Sequence, residues 1–162
     1  MSQSEPLLSP TLDPGKFKHP ARTKDGAPRA DVAFGGLRTL WFNTGTLCNV
    51  TCGNCYIESS PRNDRLSYLT RRDIRQYLDE LADSGRQAEE IGFTGGEPFM
   101  NPDIISHLRD CLVRGYRVLV LTNAMRPLLN HKACLAELKA EFGAKLVLRI
   151  SIDHYSAALH DM

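Results

Sequence analysis

The sequence predicts an α/β fold built on a parallel sheet. Short β-favouring segments alternate with amphipathic segments from residue 37 onward, which is typical of strands joined by crossover helices. The runs 117–122 and 146–152 are largely apolar, as expected for parallel strands covered on both faces. Because such folds bind ligands at the carboxyl ends of their strands, the residues that follow each strand are the candidates for a site.

Four strands are predicted, at residues 37–43, 90–94, 117–122 and 146–152. The first helix begins after Thr70, which forms an approximate capping box with Asp73, and Gly85 ends it. We expect one face of this helix to be buried, and its members are Ile74, Tyr77, Leu78 and Leu81.

The second helix is predicted to begin at Asn101-Pro102, an N-cap followed by proline at the first helical position. The third runs from about residue 131 to 142, and Gly143 ends it. Trp41 is expected in the core because a large aromatic side chain in a buried strand needs no cofactor. The expected buried helix residues are Ile104, Ile105, Leu108, Cys111, Leu112, Leu135, Leu138 and Phe142, with Cys134 as a further small core residue.

Charge and composition exclude two classes of function. The 162 residues carry 20 basic and 19 acidic side chains, a formal net charge of +1, so no nucleic acid is expected as a partner. No apolar run approaches the roughly 20 residues of a membrane span. Because the first residues lack the basic start and apolar stretch of a secretory signal, we expect a cytoplasmic protein with reduced cysteines.

Residues 1–36 are interpreted as a flexible tail, and residues 37–162 as the folded domain. The tail holds five of the nine prolines and has no sustained apolar period, so it buries too little to offset its ordering entropy. A strap that packs across the domain is the alternative.

Three cysteines follow the first strand with the spacing C-x3-C-x2-C, at Cys48, Cys52 and Cys55. Thiolates held this close repel one another unless a cation neutralises them, and thiolate favours zinc or an iron–sulfur cluster. Structural zinc takes four ligands, whereas three cysteines on a four-iron cluster leave one iron open. Three loop thiols without metal and a zinc site are the alternatives.

Unusual residues also follow the other three strands. Gly95-Gly96-Glu97-Pro98 comes after the second strand, Thr122-Asn123 ends the third, and Ser151 and Asp153 end the fourth. Glycines let backbone carbonyls approach a ligand, Glu97 is an acceptor for an ammonium group, and Pro98 fixes the chain direction. Taken alone, Gly-Gly-Glu-Pro could be an ordinary turn.

The segment 48–56, CNVTCGNCY, resembles the cluster-binding loop of the radical S-adenosylmethionine (SAM) enzymes. Gly95-Gly96-Glu97-Pro98 strengthens the resemblance, since the family carries the same four residues after the next strand. The resemblance covers about residues 37–153. One departure is Asn54, because the family usually has an apolar or aromatic residue before the third cysteine.

The resemblance implies a partial (β/α) barrel with about four of the family's six strands, so the chain is expected to be incomplete beyond Met162. It implies that Cys48, Cys52 and Cys55 bind three irons of a [4Fe-4S] cluster, and that SAM chelates the fourth. It further implies that the Gly95–Pro98 segment holds the methionine amino group. The remaining residues that it implies at the cofactor are Ser151, Asp153, Asn123 and, as an aromatic face near the adenine, Tyr56.

The implied reaction is reductive cleavage of SAM to a 5′-deoxyadenosyl radical, which abstracts hydrogen from a substrate. The resemblance also implies an electron donor such as a flavodoxin or ferredoxin. The substrate is not specified by the sequence, and peptide modification and cofactor biosynthesis both remain open. The alternatives from other classes are a zinc-binding module without catalysis and an iron–sulfur electron carrier.

Overall fold

The structure, a computed structural model, describes residues 18–152 and 155–156. The chain divides into two compact units, Met1–Gly35 and Gly36–Met162. In the first unit Arg22 and Pro28 form an isolated antiparallel bridge, and the Thr23 N–H donates to the Ala27 carbonyl at 2.8 Å. A flexible tail over residues 1–36 stays a prediction.

The second unit contains a four-stranded parallel sheet in the order β1-β2-β3-β4. The predicted α/β class is therefore confirmed, and the strand order follows the chain order, as short crossovers require. The predicted bounds of the second and third strands are confirmed, whereas the first and fourth strands are shorter than expected. The strands are β1 Thr39–Asn43, β2 Glu90–Thr94, β3 Arg117–Thr122 and β4 Leu146–Ile150.

Four α-helices connect or follow these strands: α1 Arg71–Asp83, α2 Ile104–Val113, α3 Arg126–Leu129 and α4 Lys132–Phe142. The predicted capping box of α1 is confirmed, since the Thr70 side chain accepts from the Asp73 N–H and Asp73 Oδ2 accepts from the Thr70 N–H at 2.8 Å. Short 3₁₀ turns lie at Pro98–Met100 and Gly143–Lys145, and the single turn α3 was not predicted.

The prediction that Asn101 caps the second helix is wrong, because α2 begins at Ile104. Asn101 is instead fully buried, and its side chain forms hydrogen bonds to other loops. Its Nδ2 donates to the carbonyls of Leu69 at 2.9 Å and Thr44 at 3.4 Å, while its Oδ1 accepts from the Asp103 N–H at 2.8 Å. The side chain that could have capped the helix is thus used between three segments of the chain.

The main core lies between the sheet and the helices, and it includes most of the predicted stripe residues. Three predictions of burial are wrong. Trp41 is 44% exposed because it lies on the other face of the sheet, over Gly92, while its neighbour Phe42 points into the core. Tyr77 is 49% exposed at the rim, with its ring 5.9 Å from that of Phe42, and Cys134 is exposed on α4.

Within the described residues, no helix has both the length and the apolar character that crossing a membrane requires.

Candidate functional site

The carboxyl ends of β1, β2 and β3 bring three of the predicted segments to one edge of the sheet. Asn43 pairs with Thr94, and the Thr44 N–H continues the ladder to the Thr94 carbonyl at 2.8 Å. The cysteine loop, the Gly-Gly-Glu-Pro segment and Thr122-Asn123 all start from this edge. Parallel strands in register thus place residues that are far apart in sequence next to each other.

The Gly-Gly-Glu-Pro segment packs backbone to backbone against the start of the cysteine loop. The Gly96 N–H donates to the Gly45 carbonyl at 2.8 Å, and the Glu97 N–H donates to the Leu47 carbonyl at 3.0 Å. A Cβ on Gly96 would overlap the Leu47 carbonyl, and one on Gly95 would lie 2.7 Å from the Gly45 oxygen. Gly95 also has a φ of 142°, which side chains other than glycine rarely adopt. The close approach of the protein's own loop therefore requires both glycines.

The Glu97 carboxylate links this segment to the end of β3. The side chain is 1% exposed and accepts three hydrogen bonds. Its Oε1 accepts from the Thr122 hydroxyl at 2.9 Å and the Phe99 N–H at 3.1 Å, and its Oε2 accepts from the Asn123 N–H at 2.9 Å. A carboxylate offers about four acceptor positions, so Oε2 retains capacity for one more donor. Pro98 is buried and opens the 3₁₀ turn that follows.

Cys48 lies deepest of the three loop cysteines and is 6% exposed. Burial raises the pKa of its thiol; the Val50 backbone N–H lowers it in part, and the charges of Glu97, Cys52 and Cys55 raise it again, so the net pKa is raised. Asn123 Nδ2 lies 3.8 Å from Cys48 Sγ and donates to Asn49 Oδ1 at 3.0 Å. The end of β3 therefore contacts the cysteine loop directly, next to the Glu97 carboxylate.

Cys55 occupies a different electrostatic environment. Desolvation raises the pKa of its thiol, but polar groups of residues 57–59, first among them the Ser59 N–H, favour the thiolate and outweigh this effect, so the net pKa is lowered. The Ser59 N–H lies 3.3 Å from Cys55 Sγ. This environment favours thiolate, the form that binds metal.

The third cysteine, Cys52, is exposed. Within residues 18–152 and 155–156, no three His, Cys, Asp or Glu side chains lie close enough to share a single metal ion. A four-iron cluster takes each thiolate on a different iron, so it does not need three sulfurs to converge on one point. Three soft sulfur donors on one short loop, one of them favoured as thiolate, fit the ligand set of such a cluster.

The remaining predicted site residues lie at the margin or outside the described residues. Tyr56 is 82% exposed beside Cys55. Ser151 is exposed, and its N–H donates to the Thr122 carbonyl at 2.9 Å, which keeps it alongside the end of β3. Asp153 lies outside the described residues. The roles of all these residues at a cofactor stay predictions.

Sequence reasoning missed Ser59 and Asn49. Ser59 is 4% exposed and donates to Cys55 Sγ, and Asn49 Nδ2 lies 3.5 Å from Met125 Sδ while its Oδ1 accepts from Asn123. Asn49 lies within the cysteine motif 48–56 but was given no role, and no periodicity or motif marks Ser59. The signal available for Ser59 was nearness in sequence to a predicted ligand, because it follows Cys55 by four positions.

A parallel α/β sheet with three thiols and a buried carboxylate at one edge has the sulfur donors that a thiolate-bound metal centre requires. The family model for the radical SAM superfamily matches residues 42–162. The chain belongs to this superfamily, whose members use a [4Fe-4S] cluster and SAM.

Two proteins similar in sequence illustrate the relationship. The antilisterial bacteriocin subtilosin biosynthesis protein AlbA of Bacillus subtilis is 34% identical over 114 residues, which is 70% of this chain and 24% of that protein. The 7-carboxy-7-deazaguanine synthase of Methanopyrus kandleri is 32% identical over 123 residues, which is 63% of this chain and 43% of the synthase. The chain therefore spans less than half the length of either relative.

The fold is similar to that of SuiB from Streptococcus suis in two crystal structures. The structure of SuiB bound to SAM gives a TM-score of 0.62 at 21% identity, covering 77% of this chain and 27% of SuiB. The structure of SuiB bound to the precursor peptide SuiA gives a TM-score of 0.63 at 21% identity, covering 77% and 26%. At this identity the similarity shows the fold.

Proposed function

We propose that this chain forms the cluster- and SAM-binding part of a radical SAM enzyme, with Cys48, Cys52 and Cys55 as the cluster ligands. The observation that carries the proposal is the packing of the Gly95–Pro98 segment against the cysteine loop, with the Glu97 charge close enough to raise the pKa of Cys48. This arrangement puts an acceptor for an ammonium group beside the expected cluster, with one cluster iron left open by the three-cysteine ligand set.

Each residue has a distinct task in this proposal. Glu97 Oε2 offers its remaining acceptor position to the amino group of SAM, while its other hydrogen bonds hold the carboxylate in place. Asn123 stays beside Cys48, and Ser151 extends the sheet edge toward the cofactor. When bound, the cluster and SAM supply the electron and the 5′-deoxyadenosyl radical for hydrogen abstraction.

We propose a peptide precursor as the substrate class. The support is the 34% identity to a protein of bacteriocin biosynthesis. The second candidate substrate is a small heterocycle, as in cofactor biosynthesis, and the 32% identity to a deazaguanine synthase supports it. Incubation of the reconstituted, reduced protein and SAM with a candidate of each substrate class, followed by mass spectrometry, distinguishes them by which candidate loses hydrogen or gains a new bond.

We further propose that a flavodoxin or ferredoxin reduces the cluster. The proposed compartment is the cytoplasm. The cluster loop is exposed at Cys52 and Tyr56, which gives an external reductant access. Reduction of the reconstituted cluster by a purified flavodoxin or ferredoxin, followed at its visible absorption, tests this partner.

The ligand assignment is tested by anaerobic reconstitution with iron and sulfide. We expect about four irons per chain in the unaltered protein and a severe loss of iron when Cys48, Cys52 or Cys55 is changed to Ser. Cys134→Ser is the matched control, because Cys134 is exposed and a change there has little packing cost. One zinc and no iron in the unaltered protein, or loss of iron in Cys134→Ser, would contradict the assignment.

SAM binding is tested by electron paramagnetic resonance of the reduced cluster. Addition of SAM should change the spectrum because a ligand enters the open position, and Glu97→Ala should weaken the response. A spectrum that does not respond to saturating SAM would instead favour an electron carrier.

A further inference from the structure

A buried serine hydroxyl lies beside the third loop cysteine. Ser59 is 4% exposed, and its Oγ is fully buried without a well-aligned hydrogen-bond partner among the residues that the structure describes. Its backbone N–H already donates to Cys55 Sγ at 3.3 Å. A buried hydroxyl without a partner is uncommon because it forfeits its hydrogen bond to water, so its position next to a sulfur requires an explanation.

The segment that carries Ser59 is held rigidly against the cysteine loop. Leu47 and Ser60 form an isolated parallel bridge, and the Cys48 N–H donates to the Ser60 carbonyl at 3.1 Å. The segment that follows Cys55 therefore returns to the first loop cysteine. Ser59 is fixed between the two ends of the loop and cannot move away from Cys55 without breaking these contacts.

The turn between Cys55 and Ser59 brings the Ser59 N–H to the Cys55 sulfur. Glu58 has a φ of 54°, which is uncommon for a residue other than glycine, and its N–H donates to the Cys55 carbonyl at 3.0 Å. Asn63 Nδ2 supports the turn by donating to the Glu58 carbonyl at 2.9 Å. Successive backbone N–H groups in such turns form concavities for anions, including iron–sulfur centres.

We propose that Ser59 is a positioning residue that donates from both its N–H and its hydroxyl to the Cys55 sulfur and thereby raises the reduction potential of the cluster. This assignment rests on the proposed function, since it requires Cys55 to bind the cluster. Reduction adds negative charge to the cluster, and hydrogen bonds to a ligand sulfur stabilise that charge. The unpartnered hydroxyl gains its acceptor when the sulfur is present as thiolate.

The test compares midpoint potentials of the full chain after anaerobic reconstitution, by redox titration followed with electron paramagnetic resonance. Ser59→Ala removes the hydroxyl and keeps the backbone N–H, so the potential should become more negative. At a fixed potential the ratio of reduced to oxidised cluster should fall severalfold, and a tenfold fall corresponds to about 59 mV for one electron. Ser59→Thr, which restores a hydroxyl, should bring the ratio back toward that of the unaltered protein.

Ser67→Ala is the matched control, because it removes a serine hydroxyl from an exposed position outside the cysteine loop and should leave the potential unchanged. Iron content is measured in every variant. If Ser59→Ala keeps its full iron and its potential is unchanged, the proposed role of Ser59 is wrong, while the proposed function of the chain is unaffected. If Ser59→Ala loses its iron but Ser59→Thr keeps it, the hydroxyl is needed at the cluster, which supports the proposal. If both variants lose their iron, Ser59 acts through packing and the proposal is wrong. An unaltered protein that takes up no iron overturns the proposed function as well.

Discussion

Gly96 lies where the Gly-Gly-Glu-Pro segment packs tightly against the cysteine loop. A Cβ there would overlap the Leu47 carbonyl, which is backbone and cannot rotate away. We therefore expect Gly96→Ala to destabilise the fold by about 1–3 kcal/mol, the usual cost of overpacking, and to reduce iron uptake by displacing the loop. Chemical denaturation and iron analysis after reconstitution measure the two effects.

Gly53→Ala provides the control for this prediction. Gly53 lies in the cysteine loop between two predicted ligands, but an added Cβ would have open space around it and its φ does not require glycine. We expect full iron and unchanged stability. Equal behaviour of the two variants would show that the contact between Gly96 and Leu47 does not hold the loop.

A separate prediction concerns the contribution of Glu97 to stability, since its carboxylate accepts three hydrogen bonds in a buried position. Glu97→Gln replaces one oxygen by an NH₂ group, which would face either the Asn123 N–H or the donors at Oε1, so two donors would oppose each other. We expect the free energy of unfolding to fall by about 1–3 kcal/mol, the cost of a buried donor without an acceptor. Urea denaturation without iron measures this effect separately from cofactor binding, and an unchanged midpoint would contradict it.

Helix α2 carries a fully buried histidine in its apolar stripe. His107 Nε2 donates to the Leu69 carbonyl at 3.0 Å, and its Nδ1 has no partner among the described residues. Its ring stacks 6.2 Å from that of Phe93. Burial lowers the pKa of His107 below 6.5 despite the hydrogen bond to Leu69 and the charges of Asp103 and Asp110, which favour protonation, whereas the charge of Arg71 opposes it.

This histidine predicts how stability depends on pH. Because the folded pKa lies below the unfolded value, the unfolded chain binds more protons, and stability should be complete above about pH 6.5 and fall as the pH decreases. His107→Gln keeps a donor for Leu69 and should flatten the dependence between pH 5 and about 6.5. His19→Gln, an exposed control, should retain it. Asp110, whose pKa is lowered by Arg71, titrates below this range.

The sequence predicted those parts of the fold that local signals mark. The ends of β2 and β3 were predicted correctly because glycine pairs, helix stops and polar residues bound short apolar runs. The Thr70 capping box was also correct, since it depends on two residues three positions apart. The prediction that Asn101 caps the second helix was wrong, because its partners Leu69 and Thr44 are distant in sequence. These tertiary contacts outweighed its preference for a helix cap.

The candidate site was likewise predicted in part from the sequence. Strand topology alone predicted that the cysteine loop, Glu97 and Asn123 would share one edge, since parallel strands bring their carboxyl ends together. The hydrogen bonds that hold Glu97 and the position of Ser59 could not be predicted, because they depend on turns and on burial rather than on spacing. The glycines were predicted, but the structure adds the protein's own Leu47 carbonyl as a reason for one of them.

The folded unit as a whole has a sheet with two unequal faces. One face packs against the helices, while the other carries Trp41, Leu119 and Val147 in one row that crosses all four strands. Leu119 is 6% exposed, but Trp41 and Val147 at either side of it are 44% and 37% exposed. Gly92 lies between Trp41 and Leu119 in this row, and the Trp41 ring covers it.

Trp41 is the single tryptophan of the chain, so its fluorescence reports on this face alone. A Cβ at Gly92 would overlap the six-membered part of the indole ring, and Gly92→Ala should therefore turn the ring outward into water. We expect emission at longer wavelength and stronger quenching by acrylamide, with an unchanged far-ultraviolet circular dichroism spectrum because the strands remain paired. Gly53→Ala should match the unaltered protein in both measurements. If Gly92→Ala also leaves emission and quenching unchanged, then Trp41 does not lie over Gly92, and the side chains on this face are arranged differently from the row described above.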